Sequence, residues 1–118
     1  MGVEKTAAGL EVDPARVAGW LADAADVQVV DVREPYEREA GHIAGTLHIE
    51  LMRLPQEAAA LDRERPVVFY CRVGSRSQMA AQAFRAEGFQ AFSMAGGLVR
   101  WSQEGHPLSP ADGSVADH

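Results

Sequence analysis

The chain has 118 residues, 47% hydrophobic and 24% charged, a balance that fits one globular domain able to bury about two-thirds of its unfolded surface without a metal or disulfide staple. Eleven Lys+Arg against seventeen Asp+Glu give a formal charge of -6, and with Lys5 the single lysine there is no basic stripe for a phosphate backbone, so no nucleic-acid partner is expected. Cys71 is the single cysteine, which excludes an internal disulfide, and no apolar run or basic leader marks a membrane span or export signal, so the expectation is a cytoplasmic protein with no membrane partner.

In chain order, Met1, Gly2 and Thr6 match an N-myristoylation pattern, but so few constraints match often by chance and nothing polybasic supports an anchor. Asp13-Pro14 is a helix start, and Val17, Trp20, Leu21 and Ala24 recur at helical spacing, which predicts a helix from about Pro14 to Ala25. Val27, Val29, Val30 and Val32 predict a strand covered on both faces. Pro35–Ala40 reads as a short helix closed by Gly41, Leu47–Ile49 as a weaker strand, and Leu51–Leu61 as a helix broken or restarted at Pro55. Val67–Tyr70 is the most strand-like segment. Ser77–Glu87 predicts a helix with Met79, Ala80, Ala83, Phe84 and Ala86 on one side and a stop at Gly88. Ala91–Met94 is a last strand, and Gly96-Gly97 turns into a helix carrying Leu98 and Trp101. Strands alternating with helices indicate an α/β domain with a mainly parallel sheet, whose ligand sits beyond the carboxyl ends of the strands. The body is expected to end at Leu108, with 1–108 one domain and the small, polar run 109–118 a disordered tail.

Chemistry concentrates at Cys71-Arg72-Val73-Gly74-Ser75-Arg76-Ser77, between a buried strand and a helix. Ser75 and Gln78 have capping-box spacing, which puts a helix start in or just after this loop. Loop N–H groups, the positive helix terminus and two guanidinium groups would then surround an anion, and the nearest candidate is the Cys71 thiolate. Donors and nearby cations can make a nucleophilic cysteine without a dedicated base. Gly74 suits a backbone wrapping around one sulfur. The competing reading is an inert buried cysteine at a strand end.

Four segments together resemble the single-domain rhodanese family: Val30-Asp31-Val32-Arg33-Glu34, Gly41-His42-Ile43-Ala44-Gly45, the strand and loop Val68–Ser77, and Gly96-Gly97-Leu98-Val99-Arg100-Trp101. They occur in family order, and the resemblance covers about Leu10 to Leu108. It implies a rhodanese-like three-layer domain, with a sheet of about five strands flanked by helices and a loop cradling the cysteine. It also implies a sulfurtransferase that carries a persulfide on Cys71, with Arg72, Val73, Gly74, Ser75, Arg76 and Ser77 binding the substrate. The expected donor is a small anionic sulfur compound such as thiosulfate, which two loop arginines favour over mercaptopyruvate. Cyanide or a thiol, including one on a protein, is the expected acceptor. No cofactor is implied. Sulfurtransferases of this fold have six loop residues and its phosphatases seven, so the C-x4-R of Cys71 to Arg76 misses the phosphatase pattern C-x5-R by one residue. A phosphatase or arsenate reductase, and a sulfur-carrier or regulatory module with protein donor and acceptor, remain as alternatives.

Asp31 and Arg33 are supporting candidates. The functional reading makes Arg33 an anion steerer, and the structural one makes Asp31 an acceptor for loop backbone and pairs Arg33 with Glu34, Glu37 or a neighbouring turn. Glu34 and Glu37 read as a solvated face. His42, His48, His106 and His118 show no metal-ligand spacing, so no metal is expected, and His42 reads as structural.

Overall fold

The structure, a computed structural model, describes residues 9–118, so the myristoylation match lies outside the described residues. Five strands form one all-parallel sheet: β1 (Glu11–Val12), β2 (Gln28–Asp31), β3 (Leu47–His48), β4 (Val67–Tyr70) and β5 (Ala91–Met94). Their order is β1-β5-β4-β2-β3. Four α-helices lie in the connections between them, α1 (Pro14–Ala22), α2 (Pro35–Ala40), α3 (Leu54–Glu57) and α4 (Ser75–Ala86), and α5 (Gly97–Gln103) follows β5. Alternation along the central strands sends side chains into two cores, one on each face of the sheet. Val67, Phe69 and Cys71 join Ala80, Ala81, Phe84 and Leu54 on the α3–α4 face. Val68 and Tyr70 join Val17, Leu98 and Trp101 on the α1–α5 face. This is the three-layer α/β domain expected, with every pairing parallel.

Several boundaries differ for physical reasons. The first helix stops at Ala22 because Ala24 turns left-handed at φ 51°, so that the Ala24 and Ala25 N–H groups close back on the Leu21 and Trp20 carbonyls. The Leu51–Leu61 segment is three short turns, a 3-10 turn at Leu51–Arg53, then α3, then a 3-10 turn at Ala58–Ala60. α4 starts at Ser75, with Gly74 as its N-cap, and the Ser75–Gln78 capping box does not form. The Gln78 amide donates to Glu11 instead. Its buried face is Ser77, Ala80, Ala81 and Phe84, while Met79 is 59% exposed. The edge strand β1 had no sequence signature, since two residues show no alternation. It is held by Ser93 and Ala95 N–H donating to the Leu10 and Val12 carbonyls.

The 109–118 segment does not leave the body, contrary to the expectation from its composition. Ser109 and His42 exchange backbone hydrogen bonds, Ser114 N–H donates to the Ala40 carbonyl, and Val115 packs on the α1–α5 core. Gly41 permits this approach, because a Cβ there would collide with the Ser114 backbone. No helix among the described residues is long and apolar enough to cross a membrane.

Candidate functional site

β4 delivers Cys71 to the carboxyl edge of the sheet, and the chain turns through Arg72, Val73 and Gly74 into α4. Gly74 takes φ 111°, a conformation L side chains rarely adopt, and this brings its N–H onto Cys71 Sγ at 3.1 Å. The first turn of α4 leaves backbone N–H groups without helical partners beside the loop, and its dipole adds positive potential. Ser77, one turn in, places its Oγ 3.5 Å from the sulfur. Cys71 itself is fully buried. Of the loop N–H groups expected around the sulfur, Gly74 supplies the hydrogen bond seen among the described residues.

The Gly96-Gly97 turn holds the loop from behind. Leu98 N–H donates to the Cys71 carbonyl at 2.8 Å and Val99 N–H to the Arg72 carbonyl at 3.0 Å. Gly97 sits at φ 61°, and a Cβ on it would lie 2.7 Å from the Cys71 carbonyl oxygen. The N-terminus of α5 therefore fixes the backbone on which Cys71 is mounted.

The two loop arginines diverge. Arg76 does not aim its fork at the sulfur: Nη1 and Nη2 grip the two Glu37 carboxylate oxygens at 2.8 and 2.9 Å. Glu37 is completely buried, which corrects the reading of α2 as a solvated face. Burial raises the Glu37 pKa, but the Arg76 hydrogen bonds, the Glu34 N–H and the Arg76 charge outweigh it and hold the carboxyl below its ordinary value. Arg76 correspondingly lies above its own, chiefly through the Glu37 hydrogen bonds. Arg72 pairs instead at 3.2 Å with Asp117, whose side chain is 98% exposed. Tyr36 donates to the Asp117 carbonyl and His118 Nε2 lies 3.1 Å from Glu34, so the 109–118 segment ends beside the loop. Arg76, Val32, Glu34, Glu50, Met52 and His118 line an open cleft of about 380 Å³. A larger groove of about 490 Å³ between α3 and α4 is apolar and contains no loop residue from Cys71 to Ser77.

Asp31 and Arg33 form a buried scaffold beside this site. Asp31 accepts the Arg33 backbone N–H at 3.0 Å and, through both oxygens, the Arg33 side chain at 2.9 and 2.8 Å. Arg33 also donates to the Gly41 carbonyl. Burial opposes the guanidinium charge, but Asp31 more than compensates and raises its pKa. The Arg33 partners are thus Asp31 and, as the structural reading allowed, the neighbouring turn at Gly41, not Glu34 or Glu37. Tyr70 receives the Ile43 N–H and meets Thr46, tying down the turn after α2, and its pKa is pushed up to about 12 by burial and by Asp31. His42 Nδ1 lies 3.1 Å from the Arg38 carbonyl. Glu34, Glu37 and His118 do bring ligand-type atoms within 4.8 Å of one another, but Arg76 occupies both Glu37 oxygens.

The rhodanese-like domain profile matches residues 13–104, most of the chain. The chain belongs to that family. Among curated proteins, this rhodanese-like domain is 32% identical over 104 residues to a sulfurtransferase of Allochromatium vinosum, covering 87% of this chain and 97% of that one. It is 36% identical over 88 residues to the thiosulfate sulfurtransferase GlpE of Coxiella burnetii, covering 74% of this chain and 81% of the relative. Among solved structures, the rhodanese-related protein of Thermoplasma volcanium superposes with a TM-score of 0.76 at 28% identity, over 83% of this chain and 95% of its own. Two buried residues of the site, Glu37 and Ser93, were not identified from sequence. The available signal was weak: Glu37 stands among other charged residues, and Ser93 is one small polar residue in an apolar strand.

Proposed function

We propose that this rhodanese-like domain is a sulfurtransferase that moves a sulfane sulfur from thiosulfate or a similar anion to a thiophilic acceptor through a persulfide on Cys71. The observation that carries the reading is a lone cysteine at a strand end with the Gly74 N–H on its sulfur and the start of α4 beside it. The Cys71 thiolate attacks the outer sulfur of thiosulfate, the sulfur–sulfur bond of the donor breaks, and sulfite leaves with the bonding electron pair. Cyanide then attacks the outer persulfide sulfur to give thiocyanate, and the pair returns to Cys71 as thiolate. A thiolate acceptor takes the sulfur in the same way and becomes a persulfide. Arg72 attracts the anionic donor, loop N–H groups steady charge on the transferred sulfur, and Arg76 acts through its field while its fork stays on Glu37. That grip also speaks against a phosphatase, where the arginine fork must face the loop centre. The relatives named sulfurtransferase support the same reaction class.

Intact mass after incubation with thiosulfate tests this. The expected result is a gain of one sulfur atom on the wild type, discharged by cyanide, and no gain on Cys71→Ser. Sulfur transfer that survives in Cys71→Ser refutes the mechanism.

A further inference from the structure

Behind Cys71 lies a second hydroxyl that the reaction as described does not use. Ser93, in the middle of β5, is fully buried, and its Oγ lies 2.7 Å from Ser77 Oγ. Ser77 Oγ in turn faces Cys71 Sγ at 3.5 Å and the Gly74 carbonyl at 3.1 Å. Ser77 thus has three neighbours and one proton. Its neighbours differ in what they can offer: the Gly74 carbonyl only accepts, a Cys71 thiolate only accepts, and Ser93 can donate. Among the described residues, Ser77 is the one side-chain partner of Ser93 Oγ. If Ser77 donated to Ser93, the Ser93 proton would have no acceptor among those bonds. The satisfied arrangement has Ser93 donating to Ser77, which leaves the Ser77 proton free to turn between the Gly74 carbonyl and the sulfur.

We propose that Ser93 is a positioning residue for sulfur transfer: by donating to Ser77 Oγ it directs the Ser77 proton to Cys71 Sγ whenever that sulfur carries negative charge. The proposal rests on the reading of Cys71 as the sulfur carrier. Charge sits on Sγ in the attacking thiolate and again when the persulfide is discharged, because Sγ is then the leaving group. In the persulfide the charge moves to the outer sulfur, and the Ser77 proton returns to the Gly74 carbonyl. The backbone keeps Ser93 in register for this, since its N–H is bonded to the Leu10 carbonyl at 2.8 Å and it pairs with Phe69 of β4. Among the described residues the hydrogen bonds to Cys71 Sγ come from Gly74 and Ser77 and the Ser93 hydroxyl is bonded to Ser77, so its effect passes through Ser77.

The test is a double-mutant cycle of Ser93→Ala and Ser77→Ala, read by two assays. The first is the rate of Cys71 alkylation by iodoacetamide at one neutral pH, which needs no sulfur transfer. The second is single-turnover discharge of the persulfide to cyanide, with KM for thiosulfate measured beside it. Ser93→Ala is expected to slow discharge about three- to tenfold, the worth of one net hydrogen bond, and to leave KM unchanged. Alkylation should slow by about two- to fivefold, because a less stabilised thiolate is scarcer but intrinsically more reactive. Both effects should vanish in the Ser77→Ala background, and Ser93→Thr, which keeps the oxygen, should retain the wild-type rates. Equal effects of Ser93→Ala in both backgrounds, or no effect in the wild type, overturn the proposal. If Ser93→Ala does not fold, Ser93→Thr decides: alkylation like the wild type supports the role, and alkylation as slow as in Ser77→Ala overturns it. A wild type that takes no sulfur from thiosulfate yet shows the coupling in alkylation refutes the sulfur-carrier reading and not the hydroxyl relay.

Discussion

Glu37→Gln tests how the loop is anchored. The substitution keeps the side-chain volume but removes the charge that Arg76 grips with two bonds of 2.8 and 2.9 Å. Stripping one partner from a fully buried ion pair costs about 3–5 kcal/mol. Here the figure drops to about 2 kcal/mol, because the Arg76 side chain keeps 15% of its surface in solvent and the Gln oxygen retains one of the two hydrogen bonds. With a urea m-value of about 1.5 kcal/mol/M, the unfolding midpoint at pH 7 should fall by a little over 1 M. The sign of the pH dependence follows from the lowered Glu37 pKa. A depressed carboxyl contributes stability above its unfolded value, ordinarily 4.5, and loses it as pH falls through the folded value. The Gln variant has no such step, so the two stability curves should converge as pH is lowered below 4.5. Urea unfolding followed by far-UV circular dichroism across that range measures both. A midpoint shift below about 0.3 M at pH 7, within the error of such fits, refutes the anchoring argument. A gap that keeps its neutral-pH size in acid refutes the assignment of the step to Glu37.

Gly97→Ala forces a side chain into φ 61° and against the Cys71 and Arg72 carbonyls, so stability should fall by about 2 kcal/mol and sulfur transfer at least tenfold; wild-type kcat/KM in a folded variant refutes the docking role. One glycine inserted between Gly74 and Ser75 moves the Gly74 N–H and α4 apart, and a transfer rate lowered by about 10²-fold is expected, as for loss of one preorganised donor. An insertion variant with an unchanged far-UV spectrum and undiminished transfer shows that loop length does not select sulfur. Asp117→Asn frees Arg72 from an exposed pair, and KM for thiosulfate should drop about twofold at low salt and not at high salt, a difference steady-state assays at two ionic strengths resolve. An unchanged KM at low salt refutes the competition between Asp117 and the donor.

Sequence alone determined what local chemistry dictates. The buried cores of β2 and β4 show as β-branched and aromatic runs and that of β5 as a short apolar one, and α2 begins at Pro35 and ends before Gly41 as read. The single cysteine before a glycine and a helix start marked the candidate nucleophile because those features are adjacent in the chain. Tertiary structure decided everything that depends on distant partners. Glu37 reads as a surface acid until Arg76, 39 residues on, lies against it. Residues 109–118 have too little apolar surface to order themselves, and they lie on the body because Ala40, Gly41 and His42 present backbone groups and space to them. The two-residue β1 is a strand by virtue of the β5 edge, and Ser93 faces Ser77 because β5 and α4 pack together, a contact no spacing along the chain encodes. Hydrogen-bond satisfaction in a buried site is a property of the assembled neighbours, and a sequence states only the groups that will need it.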